Sequence, residues 1–231
     1  MTHAKDVEKE HTMCPFSKLK STTMCAKKLT GCPVFNSLIK MGYLDQNDEW
    51  KKAEVQQALQ KIKLSRLASS LLTNSVDNLL QKKKLPFTVN SLQKYNLIDH
   101  DASISREDHN IGDPIRFNKQ RFCLIYDFFN NKKKITLKEF IEYRYFLYKK
   151  SYKENEKFEF GARQYNIVLA ETAAIFTLLS KDNLLELIKL QKVFEYESLN
   201  NVKTNGINMV NFIINYIKCV NYWIFASFKH K

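Results

Sequence analysis

The sequence predicts an all-α domain, and composition, helical periodicity and helix-end signals each point that way. Its 231 residues include only 5 glycines and 4 prolines, too few turn formers for a many-stranded sandwich or barrel. At 44% hydrophobic residues the chain is too apolar for disorder, and it is long enough to bury a core without disulfide staples. Apolar residues recur at helical spacing, and capping residues frame several of these stretches.

Residues 1–28 read as a mobile basic lead-in, a single helical domain covers 29–200, and 201–231 form a C-terminal helical extension of unassigned role. No internal repeat divides the chain. In the segment Gly31-Cys32-Pro33-Val34-Phe35-Asn36, Pro33 suits a first helical position because its missing N–H would be unpaired there, and Gly42 suits the stop. Cys32 is then the N-cap. Trp50, Ala53, Ala58, Leu59 and Ile62 form a stripe that predicts a helix over 50–64, and a second follows over 65–80. Asp99 to Asn118 reads as an irregular polar segment, of a kind often functional in compact helical domains. A helix over Lys119 to Phe129 comes next. Thr136 and Glu139 then make a capping box ahead of a helix carrying Phe140, Tyr143, Tyr145, Phe146 and Tyr148. The longest helix runs from Ala162 to Leu179, and another from Asn183 to Tyr196. Val210 to Phe228 is apolar, but Asn211, Asn215, Lys218 and Asn221 interrupt it, so no membrane span is expected.

Lysine and arginine total 37 against 24 acidic residues, a formal charge of +13. Nucleic acid or an anionic surface is the partner such a charge suggests. The lysines are scattered, with short clusters at 82–84 and 132–134 and no recognition motif, so a solvated surface explains them better and no nucleic acid is expected. A basic helical binding protein for nucleic acid or anionic surfaces is the alternative reading. The cysteines, Cys14, Cys25, Cys32, Cys123 and Cys219, are odd in number and lack paired CxxC spacing. The N-terminus lacks the apolar run of a secretory signal, which predicts an intracellular protein as written, or a secreted one if that terminus is incomplete.

Three stretches carry chemistry. At a helix N-cap, free backbone N–H groups and the positive end of the dipole favour a thiolate at Cys32, a competent ligand or nucleophile; a small cysteine that merely packs is the alternative. Asp99, a nearby carbonyl and Ser103 offer hard oxygen ligands for magnesium or manganese. His100 followed by Asp101 suits a tuned acid or base, against the alternative of a solvated capping loop. In the long helix Glu171 has Ile167, Val168, Ala174 and Ile175 as same-face neighbours, which aims a carboxyl group into apolar surface. Such an acid must find a partner, hold a raised pKa, or escape to water at a rim.

Taken in order, the three stretches resemble the heme-thiolate peroxygenase family, which includes the fungal unspecific peroxygenases and chloroperoxidase. The likeness rests on Gly31-Cys32-Pro33 running into Asn36-Ser37-Leu38 and Gly42-Tyr43-Leu44, on Asp99 through Asp108 with Phe117-Asn118 downstream, and on Ala170-Glu171-Thr172 followed by Tyr196 to Leu199. Detail from Ser105 onward resembles the short members. The resemblance implies an all-α fold enclosing heme b, with Cys32 as axial thiolate to the iron, Glu171 as distal acid/base, His100 as its partner and Asp101 orienting that imidazole. Ile98, Ile167 and Ala174 would line the apolar distal wall. Asp99, the His100 carbonyl and Ser103 would hold magnesium, or manganese, beside a propionate. The implied reaction uses hydrogen peroxide to oxygenate or oxidise small apolar or aromatic organic substrates, or halide; a heme-binding relative that senses or stores is the non-catalytic alternative. Two departures stand out. Gly31 replaces the family's first proline and is expected to loosen the approach to Cys32, and Asp99 replaces glutamate with an arm one methylene shorter.

Overall fold

The computed structural model describes residues 30–94, 97–196, 199 and 204–229. The lead-in expected over 1–28, with Cys14 and Cys25, lies outside them, as does the middle of the Tyr196 to Leu199 stretch. Among the described residues there are nine helices and one two-stranded sheet, so the all-α expectation holds.

The chain begins with α1 (Pro33–Lys40), ended by Met41 and by Gly42 at a φ of +70°, the left-handed conformation that glycine tolerates best. Next come α2 (Lys52–Lys61) and α3 (Arg66–Lys82), which pack on each other. The predicted α2 stripe is displaced at one position: Ala53 is exposed and Val55 takes the buried face. Trp50 precedes the helix and stacks on Phe35 with ring centroids 6.0 Å apart, which joins α1 to the core. After the single turn α4 (Val89–Leu92), the Asp99–Asn118 segment is irregular, as its polar composition predicts.

Asn118 caps α5 (Lys119–Phe128) by accepting the Arg121 N–H at 2.9 Å. The predicted box opens α6 (Leu137–Glu154): Thr136 Oγ1 accepts the Glu139 N–H at 3.3 Å, and Glu139 Oε2 accepts the Thr136 N–H at 2.8 Å. Then α7 (Ala162–Leu179) packs against α6. The helix expected from Asn183 starts later, as α8 (Leu187–Tyr196), because Leu185–Glu186 (β2) is drawn into antiparallel pairing with Lys134–Ile135 (β1). Strand pairing there satisfies backbone groups that a longer helix would otherwise have claimed. Finally α9 (Met209–Lys229) lies across both α6 and α7. The residues singled out from sequence lie at the start of α1, in the irregular segment and on α7, which packs against α6.

Candidate functional site

Cys32 sits where the sequence expects it, immediately before Pro33 at the start of α1. Its approach is fastened from both sides. Asn36, one turn into α1, accepts the Thr30 N–H at 2.7 Å and donates back to the Thr30 carbonyl at 2.9 Å, while Thr30 Oγ1 donates to the Cys32 carbonyl at 3.1 Å. The loosening expected from Gly31 is therefore not what the structure shows. A Cβ on Gly31 would stand 2.8 Å from the Asp99 Cβ, so glycine instead permits close contact between the cysteine segment and the Asp99 loop.

The sulfur is free and partly accessible, whereas Cys123 is disulfide-bonded. Burial pushes the Cys32 thiol up, and this outweighs the backbone N–H groups of Phe35 and Val34 that favour the thiolate. The helix start alone does not make the thiolate expected from sequence, because desolvation penalises the charged form more than those N–H groups stabilise it. The Glu171 carboxylate raises the thiol further and Arg106 lowers it, so both charges lie within electrostatic reach of Cys32.

Glu171 projects from α7 with 28% of its side chain accessible, beside the partly accessible Ile167, Ala174 and Ile175; Val168 turns into the core. Of the outcomes the sequence leaves open for this acid, the structure shows the paired one. Arg144 Nη2 of α6 donates to Glu171 Oε2 at 2.9 Å, and His100 Nε2 lies 3.6 Å from the same oxygen. Burial raises the carboxyl, but Arg144 above all, with His100 and Arg106, pulls it down to about 2.

His100 Nδ1 lies 2.7 Å from the Asp101 main-chain carbonyl, and since a carbonyl only accepts, Nδ1 carries the proton and Nε2 faces Glu171. Asp101 thus orients the ring through its backbone. Its carboxylate instead accepts Asn155 Nδ2 and the Glu159 N–H, each at 3.1 Å, which ties the loop to the end of α6. The rest of the motif shapes the loop. Ala102 is held at a φ of +62° by an N–H bond to Asp108 Oδ1 at 2.9 Å, Arg121 Nε donates to the Ser103 carbonyl at 3.2 Å, and Arg106 Nε donates to the Ile115 carbonyl at 2.7 Å. A left-handed, non-glycine residue persists only where its surroundings hold it.

Sequence reasoning missed Arg144. Its side chain is wholly buried, and Nε and Nη1 have no hydrogen-bond partner among the described residues. The signal was present: Phe140, Arg144, Leu147 and Ser151 form one buried stripe on α6, with a guanidinium where an apolar side chain is ordinary.

Asp99 is buried, and its Oδ1 also has no partner among the described residues. Burial lifts its carboxyl to about 6, against the lowering effect of His100. A group whose folded pKa is raised contributes stability that is present below its ordinary value of 3.8 and lost as pH rises through about 6. Asp99→Asn is therefore expected to stabilise the metal-free protein by about 2 kcal/mol at neutral pH, or roughly 4–8 °C in Tm, with the gain disappearing near pH 4. Thermal melts of both proteins across that range check it; a pH-independent difference would contradict the assignment. Among the described residues no three His, Cys, Asp or Glu side chains gather as a metal cluster; Asp99 is the one such side chain in the oxygen set expected for magnesium.

The arrangement brings together a cysteine at a helix start and an ionised glutamate within electrostatic reach of each other, with a histidine and a buried arginine beside the same glutamate oxygen. No curated protein matches the chain. The family model for peroxidase family 2 matches residues 29–209, from just before Cys32 to the start of α9. A match over most of the chain, spanning the all-α fold and every residue of this constellation, shows that the chain belongs to peroxidase family 2, a family of peroxidase-type oxidoreductases.

Proposed function

We propose that this protein is a heme-thiolate peroxidase that uses hydrogen peroxide to oxygenate or oxidise small apolar or aromatic organic substrates, or halide. The observation that carries this reading is Glu171, an ionised carboxylate in a partly accessible apolar setting, within electrostatic reach of the free Cys32 sulfur. The residues fit the implied groups. Cys32 is partly accessible and receives the N–H groups of Phe35 and Val34, which would offset part of the charge of a metal-bound thiolate. Because burial keeps the free sulfur protonated, coordination to a cation is what would deprotonate it. Ile98, Ile167 and Ala174 are each partly accessible, as wall residues of a substrate space must be. Asp99 Oδ1, with no hydrogen-bond partner among the described residues, suits a hard cation, magnesium or manganese, for which the His100 carbonyl and Ser103 would complete the protein's share of ligands.

Heme b, when bound, supplies the redox chemistry, and an electron-rich thiolate favours cleavage of the O–O bond. The chain's own part is proton handling. Glu171, ionised at any ordinary pH, takes one proton from hydrogen peroxide and returns it to the outer oxygen, which leaves as water. Arg144 keeps the Glu171 carboxylate ionised, and therefore free to accept although a weaker base, and the same low proton affinity of Glu171 makes its protonated form a strong donor for the return. His100 Nε2 bounds the same oxygen and limits where the proton can go.

The test is the optical spectrum of heme-loaded protein reduced under carbon monoxide. A strongly red-shifted Soret band is expected, to be lost in Cys32→Ser and kept in Cys219→Ala, which changes the other free cysteine among the described residues. Retention of that band in Cys32→Ser would overturn the ligand assignment.

A further inference from the structure

A helix laid across two others ordinarily turns apolar residues inward and polar ones out. Helix α9 buries Cys219, Trp223 and Ala226 against α6 and α7, with the Trp223 ring 5.4 Å from Tyr145 and 5.6 Å from Tyr165. Its outer side is apolar as well. Val210, Ile213, Ile214, Ile217, Ile224, Phe225 and Phe228 recur at helical spacing, broken by the exposed Asn221 between Ile217 and Ile224, and each is 45–68% exposed. So many large apolar side chains exposed on one side of one helix go beyond the singly scattered hydrophobics of an ordinary surface.

We propose that this outer face of α9 seats the protein on an anionic lipid surface. Charge decides between occupants. The 21 residues of α9 contain no aspartate or glutamate, its only charged residues are Lys218 and Lys229, and Lys138 of α6 places its Nζ 5.0 Å over the Phe225 ring at the edge of the strip. A second copy would set two such acid-free faces against each other, whereas an anionic bilayer offers both hydrocarbon for the isoleucines and phenylalanines and negative headgroups for the lysines. No described helix is long and apolar enough to cross a membrane, so α9 lies flat, about 30 Å long, with its inner face still on α6 and α7. Most of α9 follows residue 209, where the family match ends.

Co-sedimentation of the full chain with vesicles tests this. Vesicles containing phosphatidylserine are expected to bind at least about tenfold more tightly than phosphatidylcholine alone, and the difference should shrink with added salt. Ile213→Gln/Ile217→Gln/Phe225→Gln leaves every charge in place and is expected to weaken binding at least about tenfold, since roughly 0.8 kcal/mol is lost for each methylene no longer buried. Far-UV circular dichroism of the variant, unchanged, shows that the helix is still formed. Absence of binding to phosphatidylserine vesicles, or binding that the glutamine variant retains, overturns the proposal. So does a wild-type dimer on size exclusion that the variant disperses, which would assign the face to a subunit contact.

Discussion

Glu171→Gln is expected to slow the reaction of the heme-loaded protein with hydrogen peroxide by roughly 100-fold to 10,000-fold, the usual cost of removing one positioned acid/base. The amide keeps the shape of the carboxylate but cannot take the peroxide proton. Heme affinity and the carbon monoxide spectrum should be unchanged, because Cys32 belongs to α1 and is not altered. Stopped-flow mixing with peroxide measures the rate, and a variant as fast as the parent would remove Glu171 from the mechanism. The pH dependence carries a sign. The carboxyl falls from its ordinary 4.5 to about 2 in the folded protein, so the stability it contributes is fully present above pH 4.5 and is lost as pH falls toward 2. For the same reason this group should impose no acid limb on peroxide activation until pH approaches 2.

Arg144→Met is expected to produce the largest loss of stability. Its side chain is wholly buried, and removing it takes away the largest of the positive influences on Glu171 and leaves His100 and Arg106 to offset desolvation. Breaking a buried pair from one side costs about 3–5 kcal/mol, and because Glu171 keeps some solvent access the lower end, near 3 kcal/mol, is expected. That corresponds to roughly 6–12 °C in Tm. Without the arginine the carboxyl should rise, which moves the acid limb of peroxide activation up by at least about one pH unit. Arg144→Met/Glu171→Leu should regain part of the stability while remaining inactive, since well-packed apolar side chains replace a buried pair at little cost. Thermal melts and pH–rate profiles of the two variants separate tuning from bulk destabilisation: an acid limb unmoved in Arg144→Met would leave the arginine a packing residue.

The helices were legible because their signals are local. Pro33 and Gly42 bracket α1, and Thr136 and Glu139 open α6, through contacts that span a turn or two of chain. The late start of α8 was not legible, because it depends on strand pairing between Lys134–Ile135 and Leu185–Glu186, some fifty residues apart. Glu171 could be singled out by its apolar neighbours on α7, and the sequence could say that such an acid must be satisfied somehow. Which way was left open.

What the sequence by itself determined is therefore the helical class, the candidate residues and their order along the chain, because propensity, capping and periodicity act between near neighbours. Only the tertiary structure decided the electrostatics. The approach of α6 brings Arg144 to Glu171 and sets that carboxyl low, burial overrides the helix start at Cys32, and Gly31 serves contact with Asp99 rather than slack. Desolvation and charge pairing depend on what surrounds a group in space, and at this site each group is surrounded by residues distant in sequence.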